Sequence, residues 1–284
     1  MTANAANPVT AATPSRAVES NPALPNRLRS LTPARIGLRR AGESLATREL
    51  LDFQLAHARA RDAVQAQLQP GLLLDRLRAL PFHAMDKLLL HSSAPNRQIY
   101  LQRPDLGRKL DQPSLHRLQD RRQPIDSPCF DLSIILVDGL SPLAVERHAI
   151  PLLTELLPAL TRSSPWLNLA PLCIVEQGRV AIGDEIAHAL AASLAVVLIG
   201  ERPGLSSPDS LGAYIAWRPQ PGQTADAERN CISNIRPEGL SYPQAAARLL
   251  FYICEARKMR LTGVALKDPH TEHEAAGLET GKPL

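Results

Sequence analysis

The sequence contains few aromatic residues and no long apolar segment. Of its 284 residues, 4% are Phe, Trp or Tyr, whereas 44% are hydrophobic. The longest mainly apolar stretch is 190–200, which is well short of the ~20 residues that a membrane-spanning helix needs. The first sixteen residues also lack a basic segment followed by an apolar one, the pattern of a secretory signal. We therefore expect neither a membrane helix nor a secretory signal, and the apolar content excludes disorder of the whole chain.

Several chemical signatures are missing as well. The four cysteines, at positions 129, 173, 231 and 254, form no CxxC pair, so we expect no metal site and reduced thiols. The glycine patterns GxGxxG and GxxxxGK[ST] are absent, which excludes a stand-alone nucleotide site of either type. No signature of nucleic-acid binding is present, so we expect no nucleic-acid partner. The net charge of +4 is mild and suits a phosphate-bearing ligand or an acidic partner.

Composition divides the chain into four segments. The first has almost no large apolar side chain and the last is polar, so neither can offset the entropy of ordering itself. The two central segments differ from each other, because only the second alternates strands with helices. The predicted boundaries are a disordered arm over 1–26, a mainly helical lobe over 27–125, an α/β domain over 126–262 and a polar tail over 263–284.

The helical lobe, 27–125, contains no convincing strand. Thr47 can cap a helix over 48–66, whose apolar residues recur at spacings of three and four and form one face. A second helix is predicted over 72–90. The stretch 97–122 carries seven basic residues against three acidic ones. It is either a solvated face or a patch that meets phosphates or an acidic partner.

Strands and helices alternate from residue 130 onward. This pattern predicts an open α/β sheet with mainly parallel strands. The predicted strands are 131–137, 169–176, 195–201 and 211–218. The predicted helices cover about 142–161, with interruptions near Pro151 and Pro158, then 182–192 and 242–260.

Ligands of such sheets bind beyond the carboxyl ends of the strands. Glu201 follows a buried strand, where a carboxylate must be paired, protonated or bound to a ligand. It either forms an ion pair with Arg202 or Arg229, or accepts hydrogen bonds from the hydroxyl or amide groups of a ligand. The segments at the predicted strand ends are 138–141, 178–180 and 200–204.

Two further residues have open interpretations. Cys231 lies in an unusually polar stretch, 226–235. It is either a small buried side chain or a nucleophile, and a nucleophile would need a histidine or a cation supplied by the fold. Asp138 ends the first predicted strand and either bonds its own turn or supports the cleft.

The sequence resembles the ethanolamine ammonia-lyase light chain family in seven long segments. They occur in the family's order and run from about residue 30 to residue 257. The segments are TPARIGL at 32–38, LAHARARDAV at 55–64, YLQRPDLGRKL at 100–110, DGLSPLAV at 138–145, RVAIGDEI at 179–186, GERPGLSSPDSLG at 200–212 and AERNCISNI at 227–235.

The resemblance implies a subunit of a lyase that converts ethanolamine to acetaldehyde and ammonia with adenosylcobalamin, by radical chemistry. It implies a Rossmann-like fold for the α/β domain and a heavy chain whose (β/α)8 barrel holds the substrate. The family's three cobalamin contacts on the light chain fall at Val180, Glu201 and Cys231. No catalytic residue and no metal ligand is implied on this chain. The expected location is the cytoplasm or a bacterial microcompartment.

The sequence departs from the family at two positions, and the residues leave two alternative functions open. Arg39 stands where the family commonly has Gly, and Ala46 stands where it often has Pro. Without the resemblance, the residues also suit a binding module or scaffold that has no turnover of its own. They suit, too, a stand-alone thiol enzyme that uses Cys231.

Overall fold

The computed structural model divides the chain into two compact units, Met1–Gln54 and Leu55–Leu284. The predicted arm, 1–26, and most of the predicted tail lie outside the described residues. Within the residues that the structure describes, no helix is both long and apolar enough to cross a membrane. The structure describes residues 27–28, 30–32, 34–80, 85–121 and 130–268.

The first unit contains a short antiparallel hairpin of β1 (Arg40–Ala41) and β2 (Ser44–Leu45). Gly42 has a φ of 65° in the turn, a conformation that suits glycine. Arg39 precedes this hairpin, and its side chain is exposed.

The second unit is built around a six-stranded sheet with the order β3-β5-β4-β6-β7-β8. The first four strands are parallel, and β7 and β8 are antiparallel to their neighbours. The predicted open, mainly parallel α/β sheet is therefore confirmed. The strands are β3 (Lys87–His91), β4 (Leu132–Val137), β5 (Leu172–Glu176), β6 (Leu194–Gly200), β7 (Leu211–Trp217) and β8 (Asn230–Ile235). The helices are α1 (Thr47–Gln65), α2 (Pro70–Arg78), α3 (Arg97–Gln102), α4 (Gln112–Gln119), α5 (Pro142–Ser163), α6 (Ile182–Ala189) and α7 (Tyr242–Met259).

Helices cover both faces of the sheet, which explains why its central strands are almost entirely apolar. All six residues of β4 and all seven of β6 are buried. Because side chains alternate along a strand, Leu136 packs in the core beside α5 and α7, whereas Val137 packs in the core beside α4 and α6. This double coverage fixes the register of β4 and leaves its carboxyl end as the place where a cleft can open.

Two strands of the six-stranded sheet, β3 and β8, were not predicted, and neither was the short hairpin of β1 and β2. The expected second helix over 72–90 is wrong over 87–90, because Lys87–His91 forms β3 and not helix; α2 ends at Arg78, and 81–84 lie outside the described residues. The leucines of β3 favour helix locally, but β5 offers a parallel partner, and pairing buries Leu88 and Leu90. At the other edge, β8 exposes Cys231, Ser233 and Asn234, while Asn230 and the two isoleucines of the strand are buried.

The helix α5 is continuous, so the predicted interruptions near Pro151 and Pro158 are wrong. A proline inside a helix costs about 3 kcal/mol. Both prolines occupy half-buried positions, and ten residues of the same helix are buried, five of them leucines. Each buried leucine contributes roughly 1.5–3 kcal/mol, so packing outweighs the two lost hydrogen bonds.

Candidate functional site

A cleft of about 470 Å³ opens at the carboxyl ends of β4, β5 and β6. It lies where ligands bind in open α/β sheets. Two of the three predicted contact residues, Val180 and Glu201, line it together. The full lining is Tyr100, Gly139, Leu140, Arg179, Val180, Ile199, Gly200, Glu201, Arg202 and Tyr214.

The carboxylate of Glu201 is held by the backbone and not by a cation. Its Oε2 accepts a hydrogen bond from the backbone N–H of Asn234 at 3.1 Å. A Cβ at Gly212 would lie 3.0 Å from Oε1, so the glycine makes room for the carboxylate. Among the described residues Glu201 forms no ion pair, and Arg229 instead donates to both carboxylate oxygens of Asp184 at 2.7 Å. The ion-pair interpretation with Arg202 or Arg229 is therefore wrong, and Glu201 retains capacity to accept hydrogen bonds from a ligand.

Val180 is presented by the loop 177–180, which follows β5 and is held by three hydrogen bonds to side chains. The carboxylate of Asp138 accepts hydrogen bonds from the N–H groups of Gln177 and Gly178, at 2.8 and 3.0 Å. The hydroxyl of Tyr100 donates to the Gly178 carbonyl at 3.0 Å. Bonds to both the donor and the acceptor of Gly178 fix the loop before any ligand arrives.

Asp138 is fully buried at the end of β4. Burial raises the pKa of its carboxyl group to about 6, against the opposing effects of Arg97 and of the N–H groups that bond to it. The nearest guanidinium nitrogen of Arg97 lies 3.6 Å away. Asp138 bonds the Gly139 N–H of its own turn, as one interpretation predicted, but it also holds the loop that carries Val180. Asp138 therefore supports the cleft through the loop 177–180 and is not itself part of the lining.

Cys231 lies next to the cleft and not in its lining. It is the β8 residue opposite Tyr214 on β7, and Tyr214 does line the cleft. Its thiol is exposed and lies 3.4 Å from the hydroxyl of Ser233. The interpretation of Cys231 as a buried side chain is therefore wrong. Burial and then the neighbouring Cys231 raise the pKa of Tyr214.

Sequence reasoning missed the contribution of Arg97 and Tyr100. The basic stretch 97–122 was interpreted as a solvated face or a patch, which suits the exposed Arg103 and Arg121. Arg97, however, is only 4% exposed and donates to the carbonyls of Val64 and Gly139. Charge counting could not separate it from the others, because only the fold reveals which arginine is enclosed.

The described residues contain no group of three or more His, Cys, Asp or Glu side chains that could hold a metal ion. The donor set of the cleft is different in kind. It offers one carboxylate, two guanidinium groups, two phenol side chains and apolar side chains. Such a lining suits a large organic ligand that carries hydrogen-bonding groups and apolar surface.

Comparison with known proteins gives one consistent result. The chain matches the family model described as ethanolamine ammonia-lyase light chain over residues 23–267. The ethanolamine ammonia-lyase small subunit of Pseudomonas aeruginosa (strain UCBPP-PA14) is 54% identical over 263 residues, which cover 93% of this chain and 92% of the relative. The small subunit of Azotobacter vinelandii is 54% identical over 253 residues, 89% of this chain and 90% of the relative. The small subunit of Ralstonia nicotianae is 53% identical over 241 residues, which cover 85% of this chain and 87% of the relative.

Proposed function

The chain belongs to the ethanolamine ammonia-lyase light chain family, and from this membership we propose that its cleft forms one wall of an adenosylcobalamin site. It is the light chain of a lyase that acts on ethanolamine, as part of a complex with another subunit. We assign the other walls to the heavy chain, whose (β/α)8 barrel holds the substrate. The complex works in the cytoplasm or in a bacterial microcompartment.

The residues of the cleft fit this cofactor. Cobalamin carries neutral amide side chains around its ring, with a ribose and a phosphate on its nucleotide tail. Glu201 can accept hydrogen bonds from amide N–H or hydroxyl groups. Arg179 also lines the cleft, where its guanidinium can donate hydrogen bonds, and its buried Nε has no partner among the described residues. The single observation that carries the proposal is that Val180, which follows β5, and Glu201, which follows β6, line one cleft at the strand ends.

The role of this chain is to bind, orient and shield. When bound, adenosylcobalamin supplies the radical that removes a hydrogen atom from the substrate. Glu201 orients an amide or hydroxyl group at the rim of the ring, and Val180 contributes apolar contact from a fixed loop. Cys231 is a small polar neighbour beside Tyr214. No residue of this chain acts as the acid or base, because the substrate is held by the heavy chain.

Apolar side chains at the start of α1 support the proposed contact with a partner subunit. Leu50, Leu51 and Phe53 are 41%, 58% and 39% exposed. The spacing predicts an apolar face here, and these three side chains are partly exposed. A cluster of this kind on one turn of helix is typical of a surface that is buried in a complex.

Reconstitution tests the proposed function. Acetaldehyde and ammonia release from ethanolamine plus adenosylcobalamin is measured for this chain, for the heavy chain and for the mixture. We expect turnover in the mixture alone. Turnover by this chain alone, lost in Cys231→Ser, would instead establish the thiol enzyme. A mixture that associates without turnover would leave a binding module, and would contradict the proposal.

A further inference from the structure

Arg179 lies in the cleft beside Val180 and is held in place along its whole length. Its backbone N–H donates to the carbonyl of Gly107 at 2.7 Å. A Cβ at Gly107 would lie 3.0 Å from the Arg179 Cγ, so the glycine lets the stem of the arginine pack closely. The guanidinium carbon lies 4.4 Å from the centre of the Tyr100 ring. The guanidinium is therefore held in position before a ligand binds, which lowers the entropic cost of binding.

The same aromatic ring carries a second guanidinium. Arg97 lies 4.9 Å from the centre of the Tyr100 ring. Arg97 is buried and has Asp138 at 3.6 Å. Burial and, to a smaller extent, Arg179 lower the pKa of Arg97. Two cations thus share one ring, and the one buried carboxylate near them is already engaged by Arg97 and by the loop 177–180.

Arg179 has no anionic partner within the described part of the chain. No carboxylate lies within ion-pair distance of it there, and its buried Nε makes no hydrogen bond. Glu201, in the same cleft, is bonded to the backbone of Asn234. A fixed guanidinium with a buried, unsatisfied N–H is costly unless something binds to it. The arrangement predicts an anionic ligand group at this point of the cleft.

The chemistry of the side chain and of the cofactor identifies that group. A guanidinium is planar and donates two parallel hydrogen bonds to a phosphate or a carboxylate. The ring substituents of cobalamin are neutral amides, and its one anionic group is the phosphodiester of the nucleotide tail. We propose that Arg179 binds this phosphodiester. The inference rests on the proposed cobalamin site and adds to it the residue that selects the nucleotide tail.

The test compares two ligands that differ in this group. Cyanocobalamin carries the phosphodiester and the nucleotide, whereas dicyanocobinamide lacks both. Each is titrated into the complex of light and heavy chains, and binding is followed by the absorbance of the corrin without any turnover. The light-chain variants are Arg179→Gln, Arg179→Lys and the matched control Arg162→Gln, which removes an exposed arginine at the end of α5.

We expect Arg179→Gln to weaken cyanocobalamin binding by about 10- to 100-fold, the usual range for a hydrogen bond to a charged group. Cobinamide binding should stay unchanged, which also shows that the variant is folded. Arg179→Lys should retain part of the affinity because it keeps the charge and loses the planar fork. Arg162→Gln should bind both ligands as the unaltered complex does.

Three results would overturn the assignment. Equal weakening of both ligands would mean that Arg179 acts on the corrin or on the loop. Unchanged cyanocobalamin binding would mean that it makes no contact with the phosphate. A loss of association between the two chains, measured by sedimentation without ligand, would mean that Arg179 pairs with an acidic residue of the heavy chain. If the unaltered complex bound neither ligand, the proposed function itself would fail, which is a different outcome.

Discussion

At the scale of single residues, Glu201 is the side chain whose chemistry the structure defines best. One carboxylate oxygen is used by the Asn234 N–H, and the other faces Gly212, with no cation within ion-pair distance among the described residues. A carboxylate has more acceptor positions than this one bond uses. The residue is therefore prepared to accept hydrogen bonds from a ligand without first breaking an ion pair.

We expect Glu201→Gln and Glu201→Ala to weaken cobalamin binding by the complex, and Glu201→Ala to do so more. The loss of a hydrogen bond to a charged acceptor corresponds to roughly 1.5–3 kcal/mol, or about 10- to 100-fold in affinity. The substrate chemistry should survive at saturating cofactor, because the side chain orients and does not react. Equilibrium titration with cobalamin measures the effect.

The control for this prediction is Glu155→Gln, at an exposed position of α5. It makes the same chemical change outside the cleft and should leave the affinity unaltered. Unaltered affinity in both Glu201 variants would exclude the proposed role. A loss of turnover that saturating cofactor did not restore would instead place Glu201 in the chemical step.

Residues also show how far the sequence can be interpreted. Glu201 could be found because it follows a long apolar run and is followed by a turn, a pattern that places a carboxylate at a strand end. Arg97 and Tyr100 could not be found in this way. Their segment is short, polar and basic, and their burial depends on contacts with Val64, Gly139 and Gly178, which come from three other parts of the chain.

At the scale of elements, the sequence predicts the strands β4 and β6 but not the strands β3 and β8. The first two are buried on both faces, so their composition alone predicts strand. The edge strand β3 is five residues long and leucine-rich, and it becomes a strand because β5 is beside it. The edge strand β8 needs only one apolar face. Its sequence, NCISNI, is mostly polar, so composition does not indicate a strand there.

The loop 177–180 is the element on which the site depends, and its stability can be measured. Tyr100→Phe removes the hydroxyl that donates to the Gly178 carbonyl while keeping the ring between the two arginines. We expect the variant to lose about 1–3 kcal/mol, because a buried carbonyl loses its partner. The loss should be local. Backbone amides of the loop should exchange hydrogen faster, while those of β4 should keep their protection.

A matched variant, Tyr242→Phe, separates this local effect from the general loss of a tyrosine hydroxyl. Tyr242 bonds to the ring of His148, on α5. Its replacement should leave exchange in the loop 177–180 unaltered. If Tyr100→Phe accelerated exchange across the whole sheet, or left the loop unaltered, the hydroxyl would not be what holds the loop.

At the scale of the whole molecule, one buried carboxyl links the cleft to folding stability. Asp138 is fully buried with a pKa raised to about 6 by the loss of hydration, and Arg97 and the backbone N–H groups compensate only in part. Ionised Asp138 holds the loop 177–180, yet ionisation makes folding less favourable. The fold therefore accepts a cost in stability for a carboxylate that prepares the site, an arrangement typical of functional positions.

This cost has a defined pH dependence. The folded pKa lies above the ordinary value of 3.8, so the contribution of Asp138 to stability is full below about pH 4 and is lost as the pH rises through about 6. The expected loss is about 3 kcal/mol at neutral pH. Asp138→Asn is neutral throughout and should lack this dependence. Urea unfolding of the full-length chain and of the variant, between about pH 4 and pH 8, measures the difference.

The difference between the two unfolding curves isolates Asp138, because groups such as His148 and Glu176 titrate in both proteins. We expect the unaltered chain to lose stability relative to Asp138→Asn as the pH rises from about 4 to 7. A difference that did not depend on pH would mean that Asp138 does not titrate in this range. A difference of the opposite sign would mean that Arg97 and the loop N–H groups stabilise the carboxylate more than burial destabilises it, and that the prepared loop has no cost in stability.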